Sequence, residues 1–212
     1  MCGRFNNHLQ RMHDWTGSLK EWPQIETSFN VSPSSSIAAF RSTTGESMRW
    51  GMVPSWSEEF NSQYSIFNAR IETIDEKPTF RSAWKNSQRC LIPISGYYEW
   101  SGEKGNKQPY YITSKDTQGL VMAGLFDSWK LNRFLSCTII TEPADEKLKS
   151  IHHRMPVLLT PKSAIEWMDC KDNIDIQKVI QLDKPEIIYF PVSKAVNSSL
   201  NNRESLIQPI DI

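Results

Sequence analysis

Three short stretches of this 212-residue chain carry side chains able to move protons or form covalent bonds: Met1-Cys2-Gly3-Arg4, Gly96-Tyr97-Tyr98-Glu99-Trp100 and His152-His153-Arg154. Cysteine in second position permits removal of the initiator methionine, which leaves a thiol and a free α-amine on one residue. That amine has a reference pKa of about 7.7–8.0 against about 10.4 for lysine, so roughly a tenth of it is neutral and nucleophilic at pH 7. Thiol and amine together can capture an aldehyde, first as a Schiff base and then as a five-membered thiazolidine. An internal cysteine cannot do this. The plain alternative is a chance cysteine.

Glu99 stands among three aromatic residues, surroundings that desolvate a carboxyl and raise its pKa toward the range useful for proton shuttling. On an alternating strand it is equally an outward-pointing, solvated glutamate. His152 and His153 precede the apolar run Val157-Leu158-Leu159. Imidazole titrates at about pH 6.5 and is the usual general acid–base group. Paired histidines also suggest a metal, but adjacent side chains are expected to diverge and no Cys or His sits at ligand spacing, so neither metal nor cofactor is expected. Asn68 and Arg70 are two apart, the same-face spacing of a strand. An asparagine can orient a substrate oxygen or an amine, and an arginine can clamp a phosphate; a solvated strand end fits as well. Trp50 and Trp56 interleave with turn residues, as does the tract Phe29-Asn30-Val31-Ser32-Pro33. The tryptophans are either stacking platforms for unpaired bases, with Arg4, Arg70 and Arg154 along the backbone, or core.

These groups need a scaffold, and the composition allows one. Apolar content of 39%, with 8 Trp, 9 Phe and 6 Tyr, argues for one folded domain over residues 1–212. Formal charge is zero, from 24 basic and 24 acidic side chains, so any nucleic-acid site must be a local basic groove. Cys2, Cys90, Cys137 and Cys170 follow no disulfide framework. Reduced thiols and a cytoplasmic location are expected, as is a monomer.

Strand-like stretches cover 37–41, 48–53, 89–94, 97–100, 109–113, 121–126, 134–141, 156–159 and 186–192. Helical patterns cover 6–15, 79–86, 144–150, 161–168 and 174–181, with Pro78 and Pro161 at two starts. Many short strands with few helices between them predict an α+β fold with a mostly antiparallel, barrel-like sheet and peripheral short helices.

Taken in order, the motifs resemble the SRAP (SOS-response-associated peptidase) family of abasic-site-processing proteins. The likeness runs from Cys2 through Phe29–Pro33, Trp50-Gly51, Pro54-Ser55-Trp56 and Asn68-Ala69-Arg70-Ile71-Glu72-Thr73. It continues through Arg89-Cys90, Gly96–Trp100, Ala123-Gly124-Leu125, His152–Pro156, Pro191-Val192-Ser193 and Asn197. The resemblance implies binding of single-stranded DNA and covalent self-cross-linking to abasic sites. It implies catalytic roles for Cys2, Asn68, Glu99 and His152, and phosphate contacts from Arg4, Arg70 and Arg154. It also implies autocatalytic loss of Met1 and a lyase-like reaction at the sugar, with the protein on the nucleoid when bound to DNA. Two departures stand out. Relatives commonly carry an acidic residue where this chain has His153, which leaves open which imidazole enters the site. A further basic position falls on Pro78 in one register, with Arg81 nearby.

Chemically, His152 would protonate the ring oxygen of the closed sugar, and Glu99 would handle protons at the amine. Two other readings compete. A non-covalent binder of single-stranded or modified DNA would use the tryptophans and arginines but not Cys2. A glutamine amidotransferase with an N-terminal cysteine would also begin Met-Cys-Gly, but the Gly-Asn-Gly-type turn expected of it is missing.

Overall fold

Strands that are apolar on both faces must be covered on both faces, and this governs the architecture. The computed structural model describes residues 2–8, 15, 19–59, 66–103, 105–116, 119–130, 134–169 and 183–211. In chain order the elements are β1 (Phe5–Asn6), β2 (Ser36–Phe40), β3 (Gly45–Trp50), β4 (Asn68–Arg70), α1 (Pro78–Lys85), β5 (Arg89–Ile94), β6 (Gly96–Ser101), β7 (Gln108–Ser114), β8 (Leu120–Trp129), β9 (Phe134–Pro143), β10 (Arg154–Pro156), β11 (Leu158–Leu159), α2 (Pro161–Asp169) and β12 (Ile187–Pro191).

Strands β9, β3, β2, β5 and β8 close into a five-stranded barrel, antiparallel except for a parallel seam between β3 and β9. A second sheet, β1-β6-β7-β12, is antiparallel throughout. The fold is thus α+β with a mostly antiparallel barrel and peripheral helices, as the strand pattern predicts. Two-residue alternation sorts the side chains. Ile37, Ala39, Met48, Cys90, Ile92, Met122 and Cys137 belong to one buried cluster. Their strand neighbours Ala38, Phe40, Leu91, Val121 and Ala123 pack in another, with Phe80 and Trp84 of α1 and Ala164 and Trp167 of α2. Each large apolar side chain so buried contributes about 1.5–3 kcal/mol. Gly124 is required by packing: a Cβ there would sit 2.9 Å from Cys90 Sγ and 3.0 Å from the Thr138 carbonyl oxygen. A third cluster joins Tyr98 and Tyr111 to Val192, Val196 and Leu206.

Beyond the barrel, the C-terminal half of β9 runs between β4 on one side and β10 on the other. Asn68 pairs with Ile139 and Arg70 with Thr141, in parallel; Arg154 pairs with Pro143, antiparallel. This extension brings the Asn-Ala-Arg and His-His-Arg segments to the same strand.

Local reading fails where a segment's partner is distant. Residues 144–150, expected to be helical, form hydrogen-bonded turns instead, with the Asp145 carbonyl accepting from Lys149 and the Asp145 carboxylate capping the Leu148 amide. Asn6 opens no helix; it pairs with Gly96 in β1. The rest of that expected helix, apart from Asn7, His8 and Trp15, and all of 174–181, lie outside the described residues, as does Cys170. The expected strand 156–159 divides at Val157, whose amide donates to Ile140 of β9 while its carbonyl accepts from Ala123 of β8. Among the described residues no helix is long and apolar enough to cross a membrane.

Candidate functional site

The site forms where the second sheet meets the extension of β9. Cys2 precedes β1 and is fully buried. Its segment is pinned by three neighbours: Phe5 pairs with Tyr97, the Tyr98 amide donates to the Arg4 carbonyl at 3.0 Å, and Asn68 Nδ2 donates to the Cys2 carbonyl at 2.9 Å. Asn68 Oδ1 is buried without a hydrogen-bond partner among the described residues. Its amide therefore grips the N-terminal backbone with one end and leaves an acceptor available at the other.

Alternation along β6 sends Tyr98 to the third cluster and Tyr97 to the Cys2 cluster, and Glu99 follows Tyr97. Burial raises Glu99 above the ordinary carboxylate value, opposed by the chain's N-terminal positive charge and by Lys107. Burial pushes the Cys2 thiol well up, and the Glu99 charge adds to it. The Glu99 charge thus acts on Cys2.

His152 is half-buried, and its Nδ1 lies 3.1 Å from the Arg154 carbonyl oxygen and 3.0 Å from the Arg154 amide; the tautomer that donates to the carbonyl keeps the Nε2 lone pair free. Burial lowers its pKa to about 4, helped by the N-terminal charge, His153 and Lys107. The Lys107 charge therefore acts on both Glu99 and His152. The two imidazoles do not diverge as the sequence suggests. Their rings stack 4.4 Å apart at 28°, with His153 on the exposed side. His152 is the more buried of the two imidazoles. Among the described residues no group of three or more His, Cys, Asp or Glu could hold a metal ion.

The expected DNA contacts separate into two groups. Arg70 and Arg81 are exposed, on β4 and α1, and Trp56 is 53% exposed. Four others are engaged inside the protein. Trp50 is 0% exposed, packs on Phe5 at 4.8 Å and donates Nε1 to the Phe67 carbonyl, so it is core and not a stacking platform. Asn30 is buried; its Oδ1 accepts from Arg4 Nη1 at 2.9 Å, and its Nδ2 faces the carbonyls of Val196, Ser198 and Asn201. It clamps a loop instead of facing solvent. Arg4 is half-buried and held by Asn30 and the Val196 carbonyl. Arg154 is 8% exposed, forms a two-pronged ion pair with Glu72 and donates to the Thr141 carbonyl at 2.7 Å. Its guanidinium holds Glu72 below the usual carboxylate range and anchors β10 to β9.

Residue type alone gives no role to two further contributors, Lys107 and, inside the Gly96–Trp100 motif, Tyr97. Lys107 acts on both Glu99 and His152. Tyr97 shares the Glu99 side of β6, which the two-residue spacing could have revealed.

Barrel, second sheet and buried second-position cysteine define a class of protein organised around its own N-terminus. The chain matches the family described as SOS response associated peptidase (SRAP) over residues 1–199, and it belongs to that family. It is 36% identical to abasic site processing protein YoqW of Bacillus subtilis, over 98% of this chain and 99% of that one. It is 32% identical to abasic site processing protein HMCES of Rattus norvegicus, over 100% of this chain and 77% of that one. Among solved structures, a Bordetella bronchiseptica protein superposes with a TM-score of 0.77 at 25% identity, covering 91% of this chain and 100% of that one.

Proposed function

We propose that this protein processes abasic sites in single-stranded DNA by cross-linking itself to them through Cys2 after Met1 is removed. The observation that carries the reading is the convergence of Asn68 and Glu99 on Cys2 from separate elements, one on its carbonyl at 2.9 Å and the other through its charge. The abasic-site activity in the names of relatives that align with nearly the whole chain supports the same reading.

The Cys2 amine attacks the C1′ aldehyde of the opened sugar. Loss of water gives an imine, with the departing hydroxyl taking a proton from an acid. Raised by burial, Glu99 suits that acid role. His152 carries a pKa of about 4 and is neutral near pH 7, so it suits the base role. At ring opening His152, neutral near pH 7, can take the hydroxyl proton, while Glu99 handles protons at the amine and the carbinolamine. Asn68 holds the Cys2 backbone so that the amine meets the sugar in one orientation. The thiol then adds across the C=N bond: sulfur bonds to carbon and its proton passes to nitrogen. The closed thiazolidine has no imine, so it resists the β-elimination that a Schiff base invites.

Intact-mass measurement tests this before and after incubation with a uracil-excised single-stranded oligonucleotide. The expected masses are protein without Met1, then that protein plus oligonucleotide minus one water. Binding without any adduct would leave a non-covalent module.

A further inference from the structure

Tyr97 is a buried titratable residue that the mechanism above leaves unused. Its side chain is 0% exposed in the cluster that holds Cys2 and Phe5, and its hydroxyl has no hydrogen-bond partner among the described residues. A buried, unpaired hydroxyl costs stability that phenylalanine at the same position would not. Beside reacting groups, such an atom is positioned for a partner that exists only during the reaction.

Tyr97 pairs with Phe5 across β1 and β6, three residues along the chain from Cys2, and four charges act on its phenol, in order of strength Cys2, Glu99, Asp145 and Glu142. All four are negative when ionised, and with burial they push the phenol well above its ordinary value. Tyr97 therefore keeps its proton and acts as a donor. Cys2 has the complementary need. Its thiol must ionise for ring closure, yet burial and Glu99 both oppose a thiolate there.

We propose that Tyr97 is a positioning residue whose O–H donates to the Cys2 sulfur as the thiol proton leaves, holding the thiolate for attack on the imine carbon. This rests on the cross-linking reading. The donor keeps its own proton throughout; the thiol proton ends on the former imine nitrogen, so nothing is oxidised or reduced.

The test is Tyr97→Phe, which removes one oxygen. On a uracil-excised single-stranded oligonucleotide, borohydride trapping counts imine and heat-stable adduct counts closed ring. The variant should form imine within twofold of the wild-type rate, close the ring at least tenfold more slowly, and melt no lower than wild type. Unchanged closure overturns the proposal, as does an equal loss in both steps with a lowered melting temperature. A measurement without DNA keeps this apart from the cross-linking reading itself: the pH dependence of Cys2 alkylation by iodoacetamide, located by peptide mass spectrometry. Its midpoint should move up by at least half a pH unit in Tyr97→Phe, and an unmoved midpoint overturns the role. If wild type forms no adduct, the cross-linking reading fails and Tyr97 has no closure step to assist.

Discussion

Replacing Asn30 with alanine distinguishes a structural clamp from a DNA contact. Asn30 is buried at the crossing of the β1 segment with the C-terminal loop, and one amide serves both. Its oxygen accepts from Arg4, and its two N–H groups are shared among three carbonyls at 2.9–3.3 Å. A neutral hydrogen bond contributes about 0.5–1.5 kcal/mol net and one to a charged group about 1.5–3, with a larger cost when buried partners are stranded. The truncation should therefore destabilise the protein by about 3–5 kcal/mol. For a domain of this size each kcal/mol lowers the melting temperature by about 2–4 °C, so the fall should be roughly 6–20 °C. Differential scanning calorimetry and urea unfolding read it directly, with the urea m-value unchanged. At a temperature where the variant remains folded, affinity for single-stranded DNA should fall by less than threefold. A loss of stability under about 1 kcal/mol together with a tenfold or greater loss of affinity would refute the clamp and return Asn30 to the DNA surface.

Other expectations follow from the same geometry. Glu99→Gln removes the buried acid but keeps a neutral hydrogen-bonding group, so adduct formation should slow by about 10²–10⁴-fold with DNA affinity nearly intact; a change below threefold counts against the role. Arg70→Ala should weaken single-stranded DNA binding on every sequence and flatten the salt slope by about 0.7 for each phosphate the guanidinium neutralises, while an unchanged slope makes Arg70 structural. The cross-linking rate should decline below about pH 4 as His152 gains its proton, and on the alkaline side as Glu99 loses its own. The His153 charge helps hold His152 down, so His153→Asn should raise the His152 value and move the acid limb to higher pH. A stationary limb removes His153 from that function.

Much of the scaffold was legible because alternation is local. The strand at 89–94 matches its predicted span, and those containing Tyr98, Tyr111, Ala123 and Cys137 differ only at their ends. Pro78 and Pro161 start both described α-helices, since a missing amide is harmless in the first turn. The turn at 144–150 was not legible, because its helical spacing reflects packing against other elements. Nor was the parallel seam between β3 and β9, which joins strands about 90 residues apart.

The sequence alone determined which side chains can do chemistry and which strands carry them: a cysteine in second position, and a carboxyl two residues from a tyrosine on one face of a strand. Only the tertiary structure decided which polar groups remain available. Arg154 finds Glu72 across 82 residues and Arg4 finds Val196 across 192, so two arginines suited by type to phosphate are engaged internally. It buries Trp50 and exposes Trp56, although the two lie six residues apart. Hydrogen-bond satisfaction and desolvation depend on every atom within a few ångströms, and most of those atoms come from distant parts of the chain.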